Sequence, residues 1–301
     1  MLMDNSKKLS VIIVTYQKID IVRNCLDSIR KYNDIGDALE VIISDNSEDN
    51  VLYETIKTEY GWVKIIKNKN EGFGAGNNRG FEISTGKYLL FLNPDTILVE
   101  PIFQFAVDKF EKNVDLALFG VQLRSVNGKK NVSYFLMDKH GILAALSIKL
   151  SRLFNHYRDG KMFISGADLF VRRESFDQAG RFDEKIFMYN EEPDLIRRIK
   201  LRSDAKRICF FKQKNIIHLE GATESICDGI FNKQKYERAW ESDAYYCCKW
   251  NMNLLKKYKS MRRLKRVKLW ILKLLKRKTY EAENQILKFY DDKIRAIEGV
   301  R

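Results

Sequence analysis

The sequence is poor in the residues and patterns that mark disulfide-rich, membrane-spanning and disordered proteins. It has five cysteines and three prolines in 301 residues, and no two cysteines have CxxC spacing. An odd, scattered set of cysteines indicates reduced thiols, with neither a disulfide framework nor a zinc site. No stretch approaches the roughly 18 apolar residues of a membrane span, and the N-terminal apolar run is too short for a signal peptide. These absences predict a cytoplasmic globular protein.

Acidic residues are also in the minority, and this imbalance bears on the partners of the protein. Fifty-four Lys and Arg residues stand against 40 Asp and Glu residues, which gives a formal net charge of +14. Such a charge is typical of proteins that bind nucleic acid, a lipid surface or a phosphorylated substrate. With 45% hydrophobic residues, the chain can still bury a large core.

What is present over the first 125 residues is an alternation of apolar runs and amphipathic segments. The run Leu9–Tyr16 is β-branched and apolar, which is typical of a strand buried on both faces. Four such runs, each followed by a helical pattern, predict an α/β fold with a mostly parallel, three-layer sheet. The order loosens after residue 125, where we expect a turn at Asn127 and Gly128 and further short strands and helices.

The predicted parallel strands end in polar residues. The first ends at Thr15 and Tyr16, the second at Asp45, and the fourth at Asn93 and Asp95. Ligands of open parallel sheets bind outside the carboxyl ends of the strands. Converging carboxylates at that edge suit a divalent cation, a ribose hydroxyl or a base edge. The alternative is that each Asp or Asn only forms a turn or a helix cap.

A glycine-rich segment, NEGFGAGNNRG at 70–80, follows the third predicted strand. Its glycines run G-x-G-x-G, and Asn77 stands where a dinucleotide-binding fingerprint needs its last glycine. That fingerprint also belongs on the first strand–helix unit, and no GxxxxGK[ST] motif occurs in the chain. We therefore expect these glycines to let the backbone approach a nucleotide closely.

Two further features supply candidate groups for proton transfer and metal binding. Glu191, Glu192 and Asp194 are three carboxylates in four positions at the start of a predicted helix. Crowded acids raise one another's pKa, which suits a general base, although acids at a helix N-terminus also complement its dipole. His218 follows an apolar strand, and it gains a functional interpretation only if it meets Asp95 across the sheet.

These motifs, in this order, resemble the family 2 glycosyltransferases, which are inverting enzymes with the GT-A fold. The resemblance covers roughly residues 9–225. The N-P-D triplet at 93–95, where other members have D-x-D, is similar to the rhamnosyltransferase-like branch used for bacterial O-antigen and capsule. The motifs that carry the resemblance are VIIVTYQK, VIISDNSED, NEGFGAGNNRGFEISTGKYLLFLNPDT, ISGADLFVRRESFDQAGRFDEKIF and NEEPDLIRRIK.

The resemblance implies a role for each motif. Glu192 takes the position of the general base, although the acidic pair of the family is usually Glu-Asp. Because Asn93 replaces the first carboxylate of D-x-D, we expect weaker metal binding than a two-carboxylate site gives. The implied residues are catalytic Glu191, Glu192 and Asp194; donor-binding Thr15, Tyr16, Asp45, Asn70, Gly72, Asn77, Asn93 and Asp95; acceptor-binding Ser165, Gly166 and Asp168; and Asp95 and His218 for Mg²⁺ or Mn²⁺.

The resemblance also implies a reaction and its partners. A sugar, with rhamnose favoured, moves with inversion from a nucleotide-sugar donor to a saccharide or lipid-diphosphate-linked saccharide in surface polysaccharide synthesis. The donor is dTDP-rhamnose or, alternatively, UDP-galactose, UDP-galactofuranose or UDP-glucose. We expect a catalytic domain at 1–230, with a nucleotide-binding half at 1–125 and an acceptor-binding half at 126–230, followed by a helical extension at 231–301.

The C-terminal extension holds most of the excess positive charge. Thirteen Lys or Arg residues and no Asp or Glu lie between Lys249 and Lys278. A basic amphipathic helix is typical of a protein on an anionic membrane surface, here the inner face of the cell membrane. The alternative is a helix packed on the catalytic domain. For the balanced final segment, packing back on the rest of the chain and forming a homodimer are both open. The apolar stripe of the basic segment consists of Trp250, Leu254, Tyr258, Met261, Leu264, Val267, Ile271 and Leu274.

Two other function classes compete with this interpretation. A nucleic-acid-binding protein would explain the net charge, but it explains neither the acids at the strand ends nor the confinement of the charge to one segment. We therefore expect no nucleic-acid partner. A sugar nucleotidyltransferase would need a glycine-rich basic loop after the first strand, and the segment VTYQKID lacks one.

Overall fold

The computed structural model describes residues 7–138, 141–154, 156–219, 231–274 and 280–299. Within these ranges the chain divides into two compact units. The first unit contains the residues up to Phe135 and those from Tyr157 to 219, and the second contains the residues between them and those from 231 onward. All residues with a predicted catalytic, donor-binding, acceptor-binding or metal-binding role belong to the first unit.

Strands and helices alternate through most of the chain. The elements up to residue 124 are β1 (Leu9–Thr15), α1 (Ile19–Lys31), β2 (Leu39–Asp45), α2 (Val51–Glu59), β3 (Lys64–Lys67), α3 (Phe73–Ile83), β4 (Tyr88–Leu92), β5 (Thr96–Leu98), α4 (Phe103–Lys112) and β6 (Leu116–Arg124). They are followed by β7 (Tyr134–Leu136), α5 (Ile142–Phe154), β8 (Met162–Ile164), β9 (Asp168–Arg172), α6 (Arg173–Gln178), α7 (Glu191–Arg202), β10 (Arg207–His218), α8 (Lys233–Lys249), α9 (Leu254–Leu274) and α10 (Tyr280–Gly299).

An eight-stranded sheet forms the centre of the first unit, with the order β3-β2-β1-β4-β9-β6-β10-β5 among the described strands. The pairs β3–β2, β2–β1, β1–β4 and β6–β10 are parallel, as predicted. β9 enters between β4 and β6 and runs antiparallel to both, and β5 runs antiparallel to β10. The predicted α/β class is confirmed, and the sheet is mixed at the positions of β9 and β5.

The central strands are apolar over most of their length because they are buried on both faces. Every residue of β2 and β4 is buried, as are all but one of the residues of β1. Helices flank the sheet, and α1 buries Val22, Cys25, Leu26 and Ile29 against it. This burial holds the strands in one register, and it is the register that decides which residues meet at the edge of the sheet.

The glycines of α3 serve the packing of this helix on the sheet. A Cβ on Gly76 would lie 2.9 Å from a methyl group of Val14, and a Cβ on Gly80 would lie 2.4 Å from Ile12. The helix can approach β1 this closely only because these positions carry no side chain. At Gly76 and Gly80, therefore, a neighbouring strand takes the place of the nucleotide that the sequence analysis expected.

The second unit packs α9 and α10 around an aromatic core. Tyr258 of α9 lies among residues of α10 that include Phe289 and Tyr290. The apolar stripe predicted to face a membrane is thus partly buried inside the unit, whereas Val267 and Leu274 at its C-terminal end are exposed. No helix in the described ranges is both long and apolar enough to cross a bilayer.

Replacing Gly80 with Ala should lower the free energy of unfolding by about 1–3 kcal/mol, because overpacking of a dense core is destabilising. Urea denaturation of the purified protein measures this difference. Gly61→Ala is the matched control, since a Cβ at Gly61 meets no atom within 4 Å. If both variants unfold at the same urea concentration as the unsubstituted protein, Gly80 has no packing role.

Candidate functional site

The carboxyl ends of β1, β2, β3 and β4 lie along one edge of the sheet because these strands are parallel neighbours. Thr15 pairs with Asp45 in the register of β1 and β2, and Asp45 pairs with Lys67 in that of β2 and β3. β4 lies on the other side of β1. The polar strand ends therefore meet at this edge, as the sequence analysis expected.

Asp45 is fully buried at this edge and interacts with several donors. Its Oδ1 accepts the Ser47 N–H at 2.9 Å and lies 3.5 Å from the Thr15 hydroxyl. Its Oδ2 lies 3.1 Å from Nζ of Lys67, a cation that the sequence analysis did not identify. The Ser47 contact is the local turn considered as the alternative for this residue. The Tyr16 side chain, in contrast, is 43% exposed and open to a ligand.

Two amide side chains connect the ends of β2 and β3 to the glycine-rich segment. Nδ2 of Asn46 donates to the carbonyl of Gly72 at 3.2 Å. Nδ2 of Asn68 donates to the Ser44 hydroxyl at 2.6 Å and to Oδ1 of Asn46 at 3.3 Å. These bonds hold the start of α3 against the strand ends.

The predicted donor-binding residues of the glycine-rich segment differ in their exposure. Asn70 is exposed, whereas Asn77 is buried and donates to the carbonyl of Phe73 at 3.0 Å. Gly72 has φ of +108°, and a Cβ there would lie 2.3 Å from the carbonyl oxygen of Phe187. Gly72 is therefore needed for a left-handed backbone and a close approach of the segment that precedes α7.

Near this edge there are two pairs of adjacent non-glycine residues with a left-handed backbone conformation. Gln17 and Lys18, directly after β1, have φ of 57° and 63°, and Tyr189 and Asn190, directly before α7, have φ of 72° and 73°. Such conformations cost free energy and cluster at functional sites. None of the four was predicted from the sequence, because no glycine marks these positions.

The end of β4 presents Asp95 to His218. Asp95 is 2% exposed, and its Oδ1 lies 3.2 Å from Nε2 of His218, the last residue of β10. The antiparallel pairing of β10 with β5 places His218 opposite Thr96. Asn93 is partly exposed, and its N–H donates to the carbonyl of Ala167 at 3.1 Å. The contact on which a functional interpretation of His218 depends is therefore present.

An open cavity of about 410 Å³ lies beside His218 and leaves space there for a ligand. The turn after β6 forms one side of the cavity, and this turn is closed by the Ser125 N–H, which donates to the carbonyl of Lys129 at 2.9 Å. The turn expected at Asn127 and Gly128 is thus confirmed, with φ of +76° at Gly128. The cavity is lined by Ser125, Val126, Asn127, His218 and Leu219.

The short segment before β9 connects the end of β4 to α7. The N–H of Gly166 donates to Oε1 of Glu192 at 2.9 Å, and the next residue, Ala167, accepts the N–H of Asn93. A Cβ on Gly166 would lie 2.3 Å from the same Oε1, so only glycine fits this contact. Glu192 is thereby brought to the same edge of the sheet as Asp95 and His218.

The three acids of α7 have different environments. Asp194 is fully buried, and its Oδ2 accepts Nε of Arg198 at 2.8 Å. Because Arg198 also donates to the Ala179 carbonyl, this ion pair fastens α7 to the loop before it. Burial, followed by the charge of Glu192, raises the pKa of Glu191 well above its usual value. Burial also raises the pKa of Glu192, which is partly exposed to solvent.

The predicted acceptor-binding residues are split between the surface and the interior. Ser165 is partly exposed, and its N–H donates to the carbonyl of Ser133 at 3.0 Å. Asp168 is fully buried within the sheet, where its Oδ2 accepts the Val121 N–H at 2.6 Å. Burial raises the pKa of Asp168 well above its usual value. Of these residues, Ser165 is the one with a surface open to an acceptor.

Asp95 and His218 fit a metal ion whose remaining ligands come from a bound substrate and water. Across the described part of the chain, no group of three or more His, Cys, Asp or Glu side chains is placed to hold a metal. Asp95 and His218 together offer one carboxylate and one imidazole nitrogen, a set that suits Mn²⁺ or Mg²⁺ if phosphate oxygens and water complete the coordination. A cation held by the protein alone does not fit these residues.

A family model described as glycosyl transferase family 2 matches residues 10–180 of the chain. This range is more than half of the 301 residues. It includes the ends of β1 to β4, the glycine-rich segment and the segment before β9. Glu192 and His218 lie beyond the matched range, and their positions are known from the structure alone.

Two curated relatives are from Escherichia coli. The uncharacterized glycosyltransferase YibD is 32% identical over 120 residues, which cover 38% of this chain and 34% of YibD. The rhamnosyltransferase WbbL is 24% identical over 205 residues, which cover 64% of this chain and 76% of WbbL. The chain therefore matches about a third of the length of YibD and about three quarters of WbbL.

A solved structure shares the fold. The mannosyltransferase PcManGT from Pyrobaculum calidifontis, in complex with GDP-Man and Mn²⁺, is 12% identical with a TM-score of 0.56. The similarity covers 79% of this chain and 64% of PcManGT. At this level of identity the comparison concerns the fold alone, and the predicted GT-A fold is confirmed.

Proposed function

The chain belongs to glycosyl transferase family 2, and on that premise we propose that it transfers a sugar from a nucleotide-sugar donor to an acceptor hydroxyl with inversion at the anomeric carbon. The observation that carries the proposal is the connection between two groups at one sheet edge. Asp95 contacts His218 at 3.2 Å, and Glu192 reaches the same edge through its 2.9 Å bond to Gly166. In a displacement reaction, Glu192 would activate the attacking hydroxyl, and Asp95 with His218 would bind the leaving diphosphate.

Glu192 acts as the general base in this proposal. The Gly166 N–H holds Oε1 in place and leaves the partly exposed carboxylate available to the acceptor hydroxyl. Because burial raises the pKa of Glu192, the carboxylate is a stronger base than an ordinary Glu. The neighbouring Glu191 is 3% exposed, and burial, followed by the charge of Glu192, raises the pKa of Glu191 well above its usual value.

Asp95 and His218 bind the cation and the diphosphate in this proposal. A divalent cation there would offset the negative charge that develops on the leaving nucleoside diphosphate. Oδ1 of Asp95 lies 3.2 Å from Nε2 of His218, and His218 lines the 410 Å³ cavity. Asn93 contributes no charge, so we propose that the cation binds more weakly than in a site with two carboxylates.

The nucleoside is bound at the ends of β1 and β2 in this proposal. The exposed Tyr16 ring offers a surface on which a base can stack. The preceding residue, Thr15, has its hydroxyl 3.5 Å from Oδ1 of Asp45. Lys67, which contacts Asp45, adds positive charge next to the expected position of the nucleotide. Asn70 is the exposed member of the glycine-rich segment and borders the donor.

The proposed donor sugar is rhamnose, carried by dTDP. Two observations support it, namely the N-P-D triplet at 93–95 and the similarity to the rhamnosyltransferase WbbL. UDP-galactose, UDP-galactofuranose and UDP-glucose are the alternative donors within the same reaction class. The donor panel described below separates these alternatives.

The proposed acceptor is a saccharide or a lipid-diphosphate-linked saccharide of a surface polysaccharide. Residues 1–125 would bind the donor and residues 126–230 the acceptor, with 231–301 as an extension. The thirteen basic residues between 249 and 278 support a position at the inner face of the cell membrane. A homodimer through the last helix stays a prediction.

A donor panel tests the proposed function. We expect one of dTDP-rhamnose, UDP-galactose, UDP-galactofuranose, UDP-glucose or GDP-mannose, with Mn²⁺, to raise the melting temperature and to release nucleoside diphosphate slowly. Asp95→Ala should lose both effects, because it removes the carboxylate next to His218. Asp20→Ala is the control, since that side chain is 93% exposed. A protein that responds to none of the donors would contradict the proposal.

Glu192→Gln should reduce turnover by about 10²–10⁴-fold and leave donor binding unchanged, because an amide still accepts the Gly166 N–H but cannot take a proton. With the unsubstituted protein, activity should rise with pH through the raised pKa of Glu192, since only the ionised carboxylate is a base. Nucleoside-diphosphate release measured across pH gives both results. The matched control is Glu174→Gln, an exposed residue of α6. Retention of most activity in Glu192→Gln would assign the base elsewhere.

A further inference from the structure

The helix α5 exposes a continuous apolar face that no part of the described chain covers. Each of its five large apolar residues on this face is between 48% and 74% exposed. At about 100° per residue they fall within an arc of roughly 120°. The residues are Ile142, Leu146, Leu150, Leu153 and Phe154.

The helix α5 is attached to the basic helix α9 within the second unit. Gly141, at the start of α5, lies against Ser260 of α9 so closely that a Cβ would be 2.2 Å from the Ser260 hydroxyl. The C-terminal part of α9 has an exposed apolar strip of its own, which is between 43% and 65% exposed. This strip consists of Val267, Trp270, Ile271 and Leu274.

The charged residues that belong to α5 and α9 themselves are all basic. The sequences of α5 and α9 contain two and nine basic residues respectively, and no acidic residue. Six of the nine basic residues of α9 contact an acidic residue of α8 or α10, namely Lys257, Lys259, Arg262, Lys265, Arg266 and Lys268. Among the described residues, the exposed side chains of Lys149, Arg263 and Lys273 have no acidic partner. Exposed apolar side chains are thus combined with uncompensated positive charge.

We propose that the exposed faces of α5 and of the C-terminal part of α9 insert into the interface of an anionic lipid bilayer. Apolar side chains, including a Trp, beside basic residues are the composition of helices that lie in a membrane surface. A second copy of the chain would bring the same positive charge against it, which opposes association. The inference deepens the proposed position at the inner face of the cell membrane, and it does not rest on the proposed sugar transfer.

The proposal assigns to α5 a role that the sequence analysis gave to 249–278 alone. The N-terminal part of that stripe packs around Tyr258 inside the second unit, and it is not available to lipid. α5 supplies the larger exposed apolar face in its place. Anionic lipid would attract the basic side chains, and the apolar side chains would provide binding that salt does not screen.

Co-sedimentation of the full chain with phosphatidylcholine vesicles, with and without phosphatidylglycerol, tests the proposal. We expect binding to the vesicles that contain phosphatidylglycerol, and partial retention of that binding at about 0.5 M salt, where charge attraction is screened. The double variant Leu150→Ser with Phe154→Ser should partition at least about tenfold more weakly. Both side chains are exposed, so the variant should melt at the same temperature as the unsubstituted protein.

The matched control is Val114→Ser with Leu201→Ser, two residues of the first unit that are 82% and 66% exposed. This control should bind vesicles as the unsubstituted protein does. Equal vesicle binding by all three proteins would overturn the proposal, and so would an equal loss in both variants. Sedimentation velocity without lipid provides the remaining outcome: if the α5 variant changes the oligomeric state, α5 is an interface between copies of the chain.

Discussion

The pairing of β9 with β4 is the interaction on which the candidate site depends. β9 runs antiparallel to β4 with Asp168 opposite Leu92, so the residues before it pass over the end of β4. There the Asn93 N–H bonds to Ala167, and the adjoining Gly166 holds Glu192. The short segment before β9 therefore sets the position of Glu192 relative to the end of β4. A shift of this register by one residue would turn the segment over and separate the two groups.

The carboxylates near this edge differ in role because their environments differ, and not because of their residue type. Asp45 and Asp194 form ion pairs with Lys67 and Arg198, at 3.1 Å and 2.8 Å respectively. Among the described residues, Glu192 has no such cation beside it, and burial raises its pKa. The first two acids stabilise the strand end and α7, and Glu192 is the acid suited to accept a proton. Its accessibility to solvent distinguishes it further from the buried Glu191.

The sequence was sufficient to predict the α/β class and the polar ends of β1 to β4, because consecutive strand–helix units place those ends at one edge. It was insufficient for contacts made by β9 and β10, which enter the sheet late in the chain. Neither the Gly166 bond to Glu192 nor the approach of His218 to Asp95 has a local pattern. The glycines of α3 show the same limit, since a G-x-G pattern cannot distinguish a nearby ligand from a nearby strand. The apolar face of α5 became visible only once its neighbours were known.

The stereochemistry of donor hydrolysis tests the central claim most directly. With the donor selected by the panel and water as the acceptor, proton NMR identifies the anomer that is released before mutarotation mixes the two forms. The account predicts the configuration opposite to that of the donor, because Glu192 activates an acceptor that attacks once from the face opposite the leaving diphosphate. Release of a sugar with the configuration of the donor would contradict it, since retention requires a different arrangement of groups around the anomeric carbon.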